Sequence, residues 1–280
     1  MADASEAVRE LLAASIDQVP VEVRDAWARH LNDTVVDMWE RPSLSPRHRS
    51  IVTLAALATR GYPSELRHQV RVALANGLSR VELCEVMVQV TGYGGLGPGL
   101  EGMRALQEVF AENPELGDAP DDLDPGIPGD SRWERSKASF GTVVPDVAEL
   151  LFDHISPYEA GTPASEREPF VPEGPGWTSW IQGVSFGEFW PRGVISIAER
   201  ELVTSAVIIA LGKDRELESH LKATMLLGLS KQEVAEAIMH LAVYLGFPTA
   251  VEAMLQFQRV LFGKDRLQEQ QEREQAEGAQ

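Results

Sequence analysis

The chain has a single cysteine, Cys84, among its 280 residues. One thiol cannot close an intramolecular disulfide or form a Cys-x-x-Cys redox centre, which excludes a disulfide-stapled scaffold and dithiol chemistry within the chain. Scarce cysteine is typical of proteins in a reducing compartment. The first residues also lack the basic segment and apolar core of a secretory signal peptide. We therefore expect a cytoplasmic protein.

Basic residues are outnumbered by acidic ones. The chain carries 25 Lys and Arg against 43 Asp and Glu, and its formal net charge is −18 at pH 7. Binding to nucleic acid depends on Lys and Arg that neutralise phosphates, so this composition disfavours a nucleic-acid partner. No uninterrupted apolar stretch approaches the ~18 residues that a membrane span needs, so we expect no membrane partner.

Two ligand-binding signatures are also missing. The sequence has no H-E-x-x-H zinc motif, and a Glu-His pair alone would need a third metal ligand for which no recognisable pattern exists here. The glycine-rich segment 92–99 follows a predicted helix rather than a strand, and it lacks the lysine of a phosphate-binding loop. The sequence therefore predicts neither a metal site nor a nucleotide site.

Helical periodicity, in contrast, is present along much of the chain. Apolar residues recur at helical spacing over 5–40. Ser196 and Ser230 each precede a glutamate by three residues, which matches the capping-box pattern, and Asp214 is predicted to cap the helix between them. In the first half of the chain, helices are predicted over 46–60, 64–76, 80–93 and 98–112. No segment has a convincing strand pattern, so we predict an all-α fold.

The central feature of the sequence is an internal repeat. Shifting the numbering by 151 aligns positions 39–103 with positions 190–254 without a gap. The matched pairs include Trp39 and Trp190, Arg41 and Arg192, Arg49 and Arg200, Glu65 and Glu216, and Tyr93 and Tyr244. A match this regular indicates a tandem duplication.

The duplication predicts two helical-bundle repeats in one chain. We place the N-terminal repeat at 1–112, an acidic linker rich in Pro and Gly at 113–130, the C-terminal repeat at 131–263 and a polar tail at 264–280. The C-terminal repeat is predicted to contain a helix over 145–156. A loop over 157–176 follows it, and a loop of this length often serves as a lid or a contact surface.

Three residues of the C-terminal repeat are candidates for an acid/base site. Glu216 and His220 are four residues apart and so share one face of a predicted helix. Glu201 lies near the start of a helix with a mostly apolar sequence, so we expect its carboxyl group to be partly desolvated, with a raised pKa. Two simpler interpretations remain open, namely an exposed first-turn Glu201 and a surface pair of Glu216 and His220.

Four further residues are candidates for contacts with a substrate. Arg192, beside Trp190, could bind a substrate carboxylate or could form a structural ion pair. Trp190 belongs to an aromatic cluster that could wall a pocket or pack in the core. His240 and Tyr244 are one helical turn apart, and a core or interface position is the simpler interpretation of His240. We predict that all four bind a small-molecule substrate.

The motifs of the C-terminal repeat resemble those of a known family. From Trp190 to Ala250 the chain reads W-x-R, S-x-x-x-R-x-x-V-T-x-A, E-L-x-x-H, G-L-S-x-x-E-x-x-E and Y-x-G-x-P-x-A. This set resembles the carboxymuconolactone decarboxylase family, also called AhpD-like after its alkylhydroperoxidase branch. The resemblance covers residues 20–112 and 131–262 and is strongest over 190–260.

The resemblance implies an all-α fold of AhpD-like bundles that assembles into homo-oligomers, and for a two-repeat chain we expect a trimer. In the peroxidase branch, a Cys-x-x-Cys-x-x-x-His motif works with an upstream Glu. The positions that match this set are Lys213, Glu216, His220 and Glu201. Because both cysteines are replaced, the chain is not expected to be a thiol peroxidase. The E-L-x-x-H form is similar to the decarboxylase branch, which uses neither a metal nor an organic cofactor.

The N-terminal repeat departs from this pattern. Ser50 stands at the position of Glu201 and Gln69 at that of His220, while His68 is displaced by about 100° around the helix. We therefore predict one active site, in the C-terminal repeat.

The resulting hypothesis is a cofactor-free decarboxylase that acts on a small carboxylated lactone or a related aromatic-catabolite-like compound. His220 would transfer the proton, and Glu216 and Glu201 would position it. The alternative is a non-catalytic oligomeric binding or scaffold protein that retains the fold.

Overall fold

A computed structural model describes residues 8–9, 12–13, 16, 18–116 and 177–263. Most of the predicted linker, the predicted helix over 145–156, the loop over 157–176 and the polar tail lie outside these ranges. Every regular element that the structure describes is helical, so the fold is all-α, as predicted. None of the described helices has the length and apolar character needed to cross a membrane.

The helices fall into two successive sets. In the first set they are α1 (Arg24–Leu31), α2 (Asp37–Glu40), α3 (Pro46–Arg60), α4 (Pro63–Ala75), α5 (Arg80–Gly94) and α6 (Leu96–Glu112). In the second set they are α7 (Trp177–Val184), α8 (Ile197–Leu211), α9 (Asp214–Leu226), α10 (Lys231–Leu245) and α11 (Phe247–Phe262). A π-helical turn follows the first helix of each set, at Asn32–Val36 and Ser185–Phe189.

The helix ends explain most of these bounds. Ser79, Ser196 and Ser230 form capping boxes with the glutamates three residues later, so the predicted boxes at Ser196 and Ser230 are confirmed. The prediction that Asp214 caps α9 is wrong. Asp214 is the first residue of α9, and the residue before it, Lys213, makes no side-chain capping bond. The Asp214 carboxylate instead lies in the first turn, where the helix dipole favours a negative charge.

The helix positions confirm the tandem repeat. Helices α3 to α6 begin at residues 46, 63, 80 and 96, and α8 to α11 begin at residues 197, 214, 231 and 247. Each start in the second set is 151 residues after its counterpart, which is the offset that aligns the two halves of the sequence.

The two repeats share one packed centre, where a helix of each repeat packs against the central helix of the other. Helices α3 and α8 pack against each other there, and both are buried along most of their length. Helix α5 of the N-terminal repeat packs extensively on α8, and α10 of the C-terminal repeat packs on α3. Because of this packing, side chains of both repeats meet on each side of the central pair.

Candidate active site

A buried carboxyl–imidazole pair occupies the C-terminal side of the molecule. Helix α8 carries Glu201, which is 0% exposed, and the neighbouring α9 carries His220, which is 5% exposed. His220 Nδ1 lies 2.7 Å from Glu201 Oε1. Ser205 Oγ donates a weaker hydrogen bond to the same carboxyl oxygen at 3.4 Å. This bond at Nδ1 leaves Nε2 as the ring nitrogen that a ligand can reach.

The environment of Glu201 is strongly desolvated. Burial raises the pKa of the Glu201 carboxyl group, and the adjacent His220 partly opposes that rise. Its second oxygen, Oε2, is buried and has no hydrogen-bond partner among the described residues. A carboxyl group with a raised pKa beside an imidazole is the arrangement that acid/base chemistry requires.

A cavity of about 460 Å³ opens against this pair. Its polar lining consists of Thr91, Tyr93, Ser185, Glu216 and His220. The other lining residues, mostly apolar or aromatic, are Gly92, Leu96, Trp180, Ile181, Val184, Phe186 and Phe189. The volume falls in the range of small-molecule sites, and the wall combines apolar surface with a few polar groups as such sites do. Glu216 and His220 therefore share this wall.

The N-terminal repeat contributes Tyr93 to this site. The Tyr93 and His220 rings meet edge-on, with centroids 5.5 Å apart and an interplanar angle of 90°. Trp190 Nε1 donates a hydrogen bond to the Tyr93 hydroxyl oxygen at 2.9 Å. Trp190 itself is 0% exposed and lies behind the cavity wall, so it contacts Tyr93 rather than the open space.

Among the polar residues of this wall, sequence reasoning missed Thr91, Tyr93 and Ser185. Tyr93 is the counterpart of Tyr244 in the repeat, but the sequence does not reveal that α5 crosses to the other repeat. Ser185 is the centre of a G-x-S-x-G sequence, which is typical of a nucleophile elbow when it joins a strand to a helix. Here Ser185 lies in a π-helical turn instead, so the motif does not form an elbow.

Arg192 is engaged in an ion pair between the repeats. Its Nε donates to Glu85 Oε1 at 2.8 Å, and Arg200 Nη2 donates to the same oxygen at 2.7 Å. Glu85 is 1% exposed and Arg200 is 0% exposed. Arg192 does not line the cavity, so the structure separates it from His220 and gives it the structural ion pair that the sequence left open.

His240 and Tyr244 lie at the equivalent position on the N-terminal side. Trp39 Nε1 donates to the Tyr244 hydroxyl at 2.9 Å. His240 is 0% exposed and contacts Arg49 at 3.2 Å through Nδ1 and Thr53 at 2.8 Å through Nε2. Burial, with a smaller contribution from the Arg49 charge, lowers the pKa of His240 well below its ordinary value. These two predicted substrate contacts are thus not brought together with His220.

The acid/base pair has no counterpart on that side. Ser50 and Gln69 replace Glu201 and His220, and Asn76 Nδ2 donates to Ser50 Oγ at 2.9 Å. Within the described ranges, no group of three or more His, Cys, Asp or Glu side chains is arranged to hold a metal ion.

Comparison with known proteins places the chain among relatives of similar sequence. The model of the carboxymuconolactone decarboxylase family matches residues 22–108 and 175–259. Over 76 residues the chain is 40% identical to a 4-carboxymuconolactone decarboxylase of Acinetobacter baylyi, covering 27% of this chain and 57% of that protein. Over 84 residues it is 32% identical to a nitrosuccinic acid decarboxylase of Metarhizium robertsii, covering 30% of this chain and 56% of that protein.

An uncharacterised 15.0 kDa protein of Paracoccus denitrificans is 32% identical over 88 residues, which cover 29% of this chain and 66% of that protein. The chain thus spans a little over half the length of the two decarboxylases that it matches. The two segments matched by the family model together make up more than half of the chain. The chain belongs to the carboxymuconolactone decarboxylase family.

Proposed function

We propose that the chain is a decarboxylase that acts on a small carboxylated lactone or a related conjugated acid, with proton transfer at His220. The observation that carries this proposal is the buried Glu201–His220 pair, with its 2.7 Å hydrogen bond, at the wall of a mostly apolar cavity. The names of two relatives, each a decarboxylase, support the reaction class.

Decarboxylation requires a place for the electron pair that CO2 leaves behind. When the carbon–carbon bond to the carboxylate breaks, that pair moves into the conjugated lactone carbonyl and forms a dienolate. A proton then adds to carbon and gives the product. Because such a substrate is its own electron sink, the protein has to orient the carboxylate, stabilise the developing enolate and supply one proton.

His220 is the proposed proton donor. With Nδ1 bound to Glu201, the protonated ring presents Nε2–H to the substrate, gives that proton to carbon, and regains one from solvent after product release. Glu201 fixes the orientation of the ring, and its negative charge stabilises the imidazolium. Glu216, one helical turn before His220 and in the same cavity wall, is the proposed second carboxylate that acts on the charged ring.

The cavity wall favours a substrate whose negative charge becomes delocalised during the reaction. Among the described residues that line it, His220 is the only one able to carry a positive charge. A substrate carboxylate would therefore pair with His220, while Phe186 and Phe189 exclude water from it. Arg192, which we predicted to hold the carboxylate, has no part in this proposal because Glu85 already binds it.

Turnover of 4-carboxymuconolactone, followed by ultraviolet absorbance, tests the proposal. We expect His220→Ala to lower kcat by about 10²–10⁴-fold, the usual contribution of a positioned general acid. Gln69→Ala changes the equivalent position of the N-terminal repeat and serves as the matched control, so it should keep wild-type turnover. Circular dichroism establishes that both variants are folded.

Two outcomes would contradict the proposal. Unchanged turnover in folded His220→Ala would remove His220 from the reaction. Failure of the wild-type protein to release CO2 from 4-carboxymuconolactone or from a panel of conjugated carboxylated lactones would leave the binding-protein alternative, which a metabolite-binding screen addresses.

The assembly and the compartment remain predictions. We expect a homotrimer, and light scattering coupled to size exclusion would then report three times the chain mass of 30.7 kDa. Fractionation of the source cells would test the expected cytoplasmic location.

A further inference from the structure

The N-terminal repeat places a phenol in the active site of the C-terminal repeat. Tyr93 lies near the end of α5, which packs on α8, and it lines the same cavity as His220. The two rings are in edge contact, with centroids 5.5 Å apart. A substrate that reaches His220 therefore also meets Tyr93.

The hydrogen bond from Trp190 leaves the phenol O–H of Tyr93 available as a donor. Trp190 Nε1 donates to the phenol oxygen at 2.9 Å. A phenol oxygen has two lone pairs and one proton. Because the Trp190 N–H uses a lone pair of this oxygen and not its proton, the Tyr93 O–H can donate to a group in the cavity that Tyr93 lines.

The surroundings also keep Tyr93 in its protonated form. Burial, together with the negative charge of Glu201, raises the pKa of Tyr93 above its ordinary value of 10.0. A tyrosine with a raised pKa is a hydrogen-bond donor at neutral pH and does not act as a base.

We propose that Tyr93 donates a hydrogen bond to the substrate oxygen on which negative charge collects as CO2 leaves. This inference rests on the proposed function. The breaking carbon–carbon bond sends its electron pair to the carbonyl oxygen, His220 supplies the proton to carbon, and Tyr93 keeps its own proton throughout. A fixed donor aimed at that oxygen stabilises the transition state more than the ground state.

The proposal gives the N-terminal repeat a role in catalysis. Its own side of the molecule lacks the acid/base pair, yet it supplies the donor that the C-terminal active site needs. The active site is thus incomplete in the C-terminal repeat alone.

The chain offers a matched pair of variants for the test. Tyr93→Phe and Tyr244→Phe each remove a phenol oxygen that accepts a tryptophan N–H at 2.9 Å, so we expect them to lower the melting temperature by similar amounts. Tyr93→Phe should lower kcat by about 10²–10³-fold, as loss of an oxyanion donor does, with little change in KM. Tyr244→Phe should keep wild-type kcat. Equal changes of kcat in the two variants would reduce Tyr93 to a structural role and overturn the proposal.

Ser185→Ala distinguishes the contribution of the Ser185 hydroxyl group from that of Tyr93. This variant keeps the phenol, so we expect its kcat to fall much less than that of Tyr93→Phe if Tyr93 is the donor. A loss in Ser185→Ala as large as that in Tyr93→Phe would assign the donation to Ser185 and overturn the proposal.

A binding measurement distinguishes failure of this inference from failure of the proposed function. The probe is tetronate, the enolate of a small lactone, which shares its negative charge with the ring carbonyl oxygen and has no carboxylate to lose. Calorimetry should show about tenfold weaker binding to Tyr93→Phe and unchanged binding to Tyr244→Phe, consistent with one hydrogen bond to a charged group. Equal affinities of wild type and Tyr93→Phe would overturn the assignment of Tyr93, even if the wild-type protein decarboxylates its substrate.

Discussion

The two sides of the molecule share a set of buried contacts between the repeats, which we call the framework. They differ in the residues that lie beside it. On each side a tryptophan from one repeat donates to a tyrosine from the other at 2.9 Å. A buried glutamate on each side also binds two arginines of the opposite repeat. Only the C-terminal side adds a carboxyl–imidazole pair, Glu201 and His220. The comparison teaches that the framework serves folding and does not by itself require the acid/base pair.

The space around the two tyrosines differs as well. Gly92 lines the cavity next to Tyr93, and a Cβ atom there would lie 3.2 Å from the Phe189 ring. Its counterpart 151 residues later is Val243, which packs on the N-terminal side against the buried cluster that contains Trp39 and Val72. One missing side chain on the C-terminal side thus helps to keep the cavity open.

The largest expected effects test whether the two frameworks are equivalent. Glu85 faces Arg200, and Glu236 faces Arg49, and both arginines are 0% exposed. Neutralising either glutamate leaves a buried guanidinium without its counter-charge, which costs about 3–5 kcal/mol. We expect Glu85→Gln and Glu236→Gln to lower the free energy of unfolding by similar amounts in urea denaturation.

The exposed pair of Glu101 and Arg104 supplies the control for this measurement. Glu101→Gln should change the free energy of unfolding by less than about 1 kcal/mol, because surface ion pairs contribute little. A markedly different loss in Glu85→Gln and Glu236→Gln would show that the frameworks are not energetically alike.

A smaller effect is expected from filling the cavity. Gly92→Val introduces the residue found on the other side, and its side chain would press on the Phe189 ring. We expect kcat/KM on 4-carboxymuconolactone to fall by about 10- to 100-fold, because displacement of the cavity wall misplaces the substrate. Gly97→Val is the matched control, since a Cβ atom at Gly97 meets no other atom within 4 Å. Equal values of kcat/KM in the two variants would show that the shape of the cavity at Gly92 does not affect activity.

The smallest effect concerns the pH dependence of stability. His240 stays uncharged in the folded state because its pKa is well below the ordinary value of 6.5, whereas the unfolded chain protonates it near that value. Stability is therefore lost as pH falls below 6.5. Between pH 7.5 and pH 5.5, His240→Gln, which introduces the residue found at Gln89, should lose about 1 kcal/mol less than wild type. Parallel stability profiles in urea at these two pH values would contradict this assignment.

Local structure could be predicted because its signals are local. The helix predicted over 46–60 is confirmed as Pro46–Arg60, with Ser45 accepting a hydrogen bond from the His48 N–H. The helix predicted over 98–112 begins two residues earlier, at Leu96, after Gly95 with its positive φ of 96°. The π-helical turns were not predicted, since apolar spacing does not distinguish a single wider turn from an α-helical one.

The candidate site was predictable only in part. Glu216 and His220 come from one helix and Glu201 from the helix before it, so spacing and the family resemblance were enough to select them. Tyr93 was not selected, because it comes from the other repeat. Tyr244 and His240 were predicted to bind the same substrate as His220, whereas the structure places them with Trp39 and Arg49.

The amino-acid sequence alone was sufficient to establish the helices, the duplication and the identity of the one repeat that carries a carboxyl–imidazole pair. The spatial partners of those residues depend on tertiary structure. The packing of α5 on α8 and of α10 on α3 places Tyr93 on the C-terminal side and Tyr244 on the N-terminal side. This pairing of helices depends on contacts between residues that are far apart in the chain. Because the two repeats have the same helix pattern, the pairing is determined by the shape of their buried surfaces and not by a local sequence signal.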